Sequence, residues 1–169
     1  MTINSNFFFK HNINILKNKK HPIVIGWKLS NPENIGNIIR IADNFNCEKV
    51  IFVKGKNNFN HKNIKRIAQS SFKNIDWIFC YEEDLKMKIP VEYTIIGIGT
   101  SNYSRNIYNE SIKNNTIFIV GNEKSGLEKS IIKLCSKVLY IPTFGKNKSM
   151  NVSHALTVAL SQWIKQNYY

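Results

Sequence analysis

Three stretches of this chain carry the side chains best placed to do chemistry. The first is Asn31-Pro32-Glu33-Asn34-Ile35-Gly36-Asn37-Ile38-Ile39-Arg40. Here Asn34 can cap a helix, Gly36 admits close approach by backbone or ligand, and Arg40 offers a planar, forked cation for phosphate or carboxylate oxygens. The second is Val120-Gly121-Asn122-Glu123-Lys124-Ser125-Gly126-Leu127. It sets an acid between two glycines at the end of an apolar run. It lacks the middle glycine of a dinucleotide fingerprint and the Lys-Ser/Thr of a phosphate loop, which disfavours a nucleoside triphosphate. The third runs from Leu139-Tyr140-Ile141-Pro142 through Ser149-Met150-Asn151-Val152-Ser153. Pro142 stops a strand, a polar loop follows, and Ser149, Asn151 and Ser153 stand where a helix cap belongs. Free loop amides and a helix start together bind polar, often anionic, groups. Taken singly, each stretch is also an ordinary turn or capped helix.

Other chemistries find little support. No Ser–His–Asp order or nucleophile elbow appears. His11, His21, His61 and His154 have no ligand spacing, and Cys47, Cys80 and Cys135 form no CxxC, so no metal site is expected. The cysteines read as reduced core residues, and no apolar run approaches the ~20 residues of a membrane helix or the core of a signal peptide. The expectation is a cytoplasmic protein with no membrane partner. A net charge of +13 points to a polyanion, most simply nucleic acid. Part of that charge reflects a sequence crowded with Asn, Ile and Lys. Against that background the three arginines, Arg40, Arg66 and Arg105, point to places where a forked cation is needed.

The elements that must hold these stretches follow from periodicity. Short apolar runs at 23–27, 50–53, 76–79, 94–98, 116–120 and 137–141 read as strands. Helical patterns fill 34–46, 62–72, 82–88 and 127–135, and a last helix from Val152 buries the stripe Val152, Ala155, Leu156, Ala159, Leu160, Trp163 and Ile164. Residues 102–115 read mostly as loop. Such alternation predicts an α/β fold, a mostly parallel sheet with helices on both faces. Ligands then sit beyond the carboxyl ends of the strands, where loops 28–33, 99–104, 121–126 and 142–150 begin. Residues 1–20 form either a docked amphipathic helix or a mobile arm, and 21–169 a single domain.

Jointly, Asn-x-Gly-Asn-x-x-Arg early, Gly-Asn-Glu-x-x-Gly-Leu in the middle and Ile-Pro…Ser-Met-Asn-Val-Ser late resemble the SpoU family, the TrmH-like branch of the SPOUT RNA methyltransferases. The likeness spans about residues 23–163. It implies a C-terminal trefoil knot, a homodimer, S-adenosyl-L-methionine as cofactor and methylation of a ribose 2′-hydroxyl of tRNA or rRNA. It implies a catalytic group at Asn34, Arg40, Glu123, Ser149 and Asn151, and cofactor loops at Gly99, Thr100, Gly121, Ile141, Pro142, Ser149 and Met150. Met150 stands where many members carry Leu. The extra amino-terminal RNA-binding domain of some rRNA-specific members is not seen and the carboxyl end is short, which weakens transfer of a particular RNA target. tRNA is favoured over rRNA because a bare domain has little surface beyond its basic faces and dimer groove. The rival from another class is a non-catalytic, basic RNA-binding protein on the same fold.

Overall fold

The computed structural model describes residues 20–169. The amino-terminal arm therefore lies, apart from Lys20, outside the described residues. In chain order the elements are β1 (Ile23–Trp27), α1 (Pro32–Asn44), β2 (Lys49–Val53), α2 (His61–Ala68), α3 (Ser71–Asn74), β3 (Asp76–Cys80), α4 (Leu85–Lys88), β4 (Thr94–Ile98), β5 (Arg105–Asn106), a 3₁₀ turn (Ile107–Asn109), β6 (Thr116–Val120), α5 (Lys129–Leu134), β7 (Lys137–Tyr140) and α6 (Val152–Tyr168). The seven strands form one sheet in the order β3-β2-β1-β6-β4-β7-β5, and every pairing is parallel.

The expected two-faced sheet is present, and the reason lies in strand composition. Strands β1 and β6 are buried at every position, so both faces must be apolar. Val24, Val50, Phe52, Ile96 and Phe118 face a layer shared with Ile35, Ile38 and Ile39 of α1, Ile64 of α2 and Leu156, Ala159, Leu160 and Trp163 of α6. Ile23, Ile25, Trp27, Ile51, Ile117 and Ile119 face the other way, against Leu85 of α4 and Ile131 of α5. The apolar stripe of α6 is thus largely consumed inside its own chain. Trp163 lies fully buried at its end, its indole N–H donating to the Lys113 carbonyl at 3.0 Å.

Local expectations needed four corrections. The pattern at 62–72 breaks at Gln69, which adopts φ +54°, so α2 stops at Ala68 and α3 is a separate turn. The helices expected over 82–88 and 127–135 begin only at Leu85 and Lys129. Residues 102–115 hold β5 and the 3₁₀ turn, with Ile107 and Ile112 buried. Strand β5 exists because β7 enters the sheet between β4 and β5: Leu139 pairs with Ile98 on one side and Arg105 on the other. The short link 99–104 therefore straddles β7. A polar pair such as Arg105-Asn106 carries no strand signal of its own; the ladder beside it makes it a strand.

Gly36 serves packing. A Cβ there would lie 2.7 Å from the Ile67 Cβ and 3.1 Å from the Ile64 carbonyl oxygen. Its bare backbone lets α1 and α2 close on each other. Gly36→Ala is expected to lower thermal stability by about 1–3 kcal/mol, the usual cost of overpacking. Equal melting temperatures for the parent and Gly36→Ala would disprove the contact.

Candidate active site

Strands β1, β6, β4 and β7 are successive neighbours in the sheet, so the loops at their carboxyl ends meet. They surround a cavity of about 670 Å³ whose walls include Asn31, Asn34, Gly99, Thr100, Gly121, Glu123, Ile141, Ser149, Met150 and Asn151. The three stretches distinguished by side-chain type thus converge on one place.

A chain of hydrogen bonds joins them. The Asn151 side-chain oxygen accepts from the Ser153 amide at 2.8 Å and the Ser153 hydroxyl at 2.7 Å, capping α6. The Asn151 Nδ2 donates to Asn34 Oδ1 at 3.0 Å. The Asn34 Nδ2 donates to Glu123 Oε1 at 2.8 Å. Glu123 also accepts from the Asn31 amide at 3.1 Å, and through Oε2 from the Ser30 amide and hydroxyl, both at 2.8 Å. Asn34 is 3% exposed, so its amide has little access to water and depends on these partners. It does not cap α1, as its position suggested. Asn31 does, accepting from the Glu33 amide at 2.8 Å, with Pro32 preset in the first turn. Asn34 is left free to face inward and tie the two helix starts together.

The Glu123 carboxylate accepts two hydrogen bonds on each oxygen, which fills its acceptor sites. Burial opposes its ionisation, but the bonds from Asn34 and Ser30 outweigh that and hold its pKa below the ordinary value of 4.5. A carboxylate so occupied is a poor proton acceptor and a good anchor. Glu123 fastens loop 121–126 to the start of α1.

The loop itself closes tightly. The Asn122 and Gly126 backbones exchange hydrogen bonds at 3.0 and 2.8 Å, and Asn122 Oδ1 accepts from the Lys124 and Ser125 amides. A Cβ on Gly121 would lie 2.3 Å from the Gly126 carbonyl carbon and 2.5 Å from the Leu127 nitrogen. Gly121 is thus needed by the loop's own backbone, whatever a ligand also needs. Sequence reasoning passed over Ser30, Asn31 and Asn122 as site residues, and Lys28. The Lys28 carbonyl accepts from Asn122 Nδ2 at 2.6 Å, and its ammonium pairs with Glu82 at 2.8 Å and Glu128 at 3.1 Å. The hydrogen bond from Lys28 to Glu82 is the main reason its pKa is raised. Its φ of +47° is the mark of a residue bent to fit.

The remaining candidates divide. Ser149 is exposed at the wall, its amide and hydroxyl both donating to Asn147 Oδ1. Ile141 and Met150 line the cavity, whereas Pro142 and Arg40 are absent from its walls. Arg40 is exposed on α1. Among the described residues no cluster of His, Cys, Asp or Glu is arranged to hold a metal ion.

Because the folded Glu123 pKa is depressed, its stabilising contribution is present above the unfolded value and is lost as pH falls through the folded one. Glu123→Gln, which sets an NH₂ group against existing donors, should therefore melt below the parent at neutral pH. The gap should shrink as pH falls below 4.5. A gap in melting temperature independent of pH between neutrality and acid would contradict the anchor.

The family model for the SpoU rRNA methylase family matches residues 21–161. The chain is 26% identical over 159 residues to the 23S rRNA (guanosine-2′-O-)-methyltransferase RlmB of Neisseria meningitidis serogroup B, covering 92% of this chain and 64% of that one. It is also 26% identical over 155 residues to the tRNA (guanosine(18)-2′-O)-methyltransferase of Aquifex aeolicus, covering 89% and 72%. The chain spans 56% of the RlmB relative from Blochmanniella floridana and 64% of the Neisseria one, less than two thirds of either. Among solved structures, the SpoU methyltransferase AviRb of Streptomyces viridochromogenes superposes with a TM-score of 0.78 at 21% identity, covering 90% of this chain and 62% of that one. The order of the three motifs, the parallel sheet that gathers them and the match over most of the length lead to one conclusion: the chain belongs to the SpoU rRNA methylase family.

Proposed function

We propose that this chain is an RNA methyltransferase that transfers a methyl group from S-adenosyl-L-methionine to a ribose 2′-hydroxyl, with tRNA the favoured substrate over rRNA, and that it works as a cytoplasmic homodimer. The observation that carries this reading is the hydrogen-bonded line from Ser153 through Asn151 and Asn34 to Glu123, set in the wall of the 670 Å³ cavity. That volume falls within the ~300–1,000 Å³ of small-molecule sites. Its lining suits the cofactor: Ile98, Leu127 and Ile141 offer apolar surface, while the Thr100, Ser101 and Ser149 side chains offer polar contacts. Gly99, Thr100, Gly121, Ile141, Ser149 and Met150 would hold it, with Pro142 setting the path of the chain behind them. When bound, the cofactor supplies an electrophilic methyl group.

What the protein must add is position and charge. A ribose hydroxyl is a poor nucleophile, so it has to be aligned and the charge growing on its oxygen stabilised. Asn151 and Asn34 are held in one orientation by their partners, and Ser149 presents a hydroxyl at the rim. The role of Glu123 is to keep that array in place. Arg40 does not line the cavity of its own chain; in this reading it serves the site of the second copy. Val152 and Ala155, which remain half-exposed on α6 beside the cavity, support the dimer. Threading of the last segment past the link 99–104 belongs to the same proposal, since β7 already lies between the strands that the link joins. The Neisseria rRNA methyltransferase and the Aquifex tRNA methyltransferase are each 26% identical to this chain, so substrate is a matter for assay. A tRNA loop presents unpaired riboses to a small basic protein, which favours it.

Addition of S-adenosyl-L-methionine should raise the melting temperature, because a ligand of the native state alone stabilises it. No shift at saturating concentration would favour the binding-only rival. Arg40→Lys should fold, sediment as a dimer and bind the cofactor like the parent, yet lose at least ~10²-fold in methyl transfer, the scale of one positioned charge-stabilising donor. Near-parental turnover would mean that charge alone suffices. RNA binding should weaken steeply between ~50 and ~200 mM salt through counterion release. An affinity flat across that range would detach the +13 charge from function.

A further inference from the structure

Among the described residues, two aromatic rings on loops that wall the cavity stand almost free in water. Phe144 is 97% exposed and Tyr103 84% exposed. Thr143, Lys148, Ser149 and Met150, on the same loop as Phe144, line the cavity; so do Gly99, Thr100 and Ser101, which precede Tyr103. The two loops wall the same cavity.

Each loop is built to present its ring. In 101–104 the polar groups satisfy one another: the Ser104 hydroxyl donates to the Ser101 carbonyl at 2.8 Å, Ser104 Oγ accepts from the Ser101 amide at 3.1 Å, and the Tyr103 amide donates to Ser101 Oγ at 3.3 Å. The tip is thereby closed and the phenol ring left outside. In 142–150, Gly145 beside Phe144 has open space around it, and Asn147 holds Ser149. The surroundings are cationic and polar. Neither loop contains an Asp or Glu, Lys124 and Lys148 line the cavity, and Lys146 lies two positions after Phe144. Glu123 has its oxygens already taken. The core of a protein interface is depleted in lysine. Here its sequence neighbours are Thr, Gly, Lys and Asn.

We infer that Phe144 and Tyr103 are stacking platforms for unpaired nucleobases flanking the target nucleotide, so that the substrate is a single-stranded loop rather than a duplex. The inference rests on the RNA reading above and adds the residues that grip the bases beside the target. A ring among lysines is the arrangement that grips single strands, with the cations on phosphates and the ring on a base face. Bases inside a duplex are stacked on each other and offer no free face.

The test compares a fluorescein-labelled single-stranded RNA of mixed sequence with the same strand annealed to its complement, both titrated with the full chain at low salt. Phe144→Ala should weaken single-strand binding about five- to a hundredfold, the scale of one lost base–aromatic stack, and leave duplex affinity within about twofold. Tyr103→Ala should act in the same direction, and Phe144→Trp should keep the parental affinity. The thermal shift with S-adenosyl-L-methionine should not change in any of them. Equal losses on both RNAs, or no loss on the single strand, would overturn the inference. So would a lower sedimentation coefficient for Phe144→Ala, which would assign the ring to a contact between copies. If the parent binds neither RNA, the RNA reading itself fails first, and this one with it.

Discussion

One carboxylate holds the candidate site together. Glu123 receives four hydrogen bonds from Ser30, Asn31 and Asn34, residues some ninety positions earlier in the chain. Without an acceptor there, two backbone amides, a hydroxyl and a buried side-chain amide lose their partner together. Asn34 would then have no reason to point as it does, and Asn151, bonded to Asn34, would lose its register as well. The negative charge is also well matched to its place, because it lies at the amino-terminal end of α1, where the helix presents free N–H groups and positive potential. A neutral acceptor of the same shape would not gain that.

The sheet makes this meeting possible. Loops from β1, β6, β4 and β7 share one edge only because these strands are adjacent, and their adjacency does not follow chain order. β6 lies between β1 and β4, and β7 lies between β4 and β5. Each insertion brings a loop from late in the chain beside an earlier one. The apolar strands on both faces give that order its stability, since each inserted strand buries side chains on two layers at once. The final helix then closes the layer over α1 through Leu156, Ala159, Leu160 and Trp163, which fixes where Asn151 at its start must lie.

Glycine shows how close to its limits the site is drawn. Gly121 sits where its own loop returns, and Gly36 where one helix lies on another. Both are in motifs that look ligand-directed, and both are explained first by packing. Gly121 also lies in the cavity wall, so there the packing constraint and the candidate site coincide.

The sequence alone determined much of this protein. The apolar runs at 23–27 and 116–120, buried throughout, announced a parallel sheet covered on two faces, and the stripe of the last helix named its core residues. Those are properties of local periodicity, and periodicity survives folding unchanged. Residue type and motif order also singled out Asn34, Glu123, Ser149 and Asn151, which do meet at one cavity. What the tertiary structure decided is who touches whom. That Glu123 is an anchor with filled oxygens, that Asn31 and not Asn34 caps α1, that Arg105-Asn106 becomes a strand, and that Arg40 lies outside the cavity of its own chain all depend on contacts between residues far apart in sequence. The bond from Asn151 to Asn34 spans 117 positions. No local propensity encodes such a pairing; it is set by strand order and by the need of buried amides to find a partner.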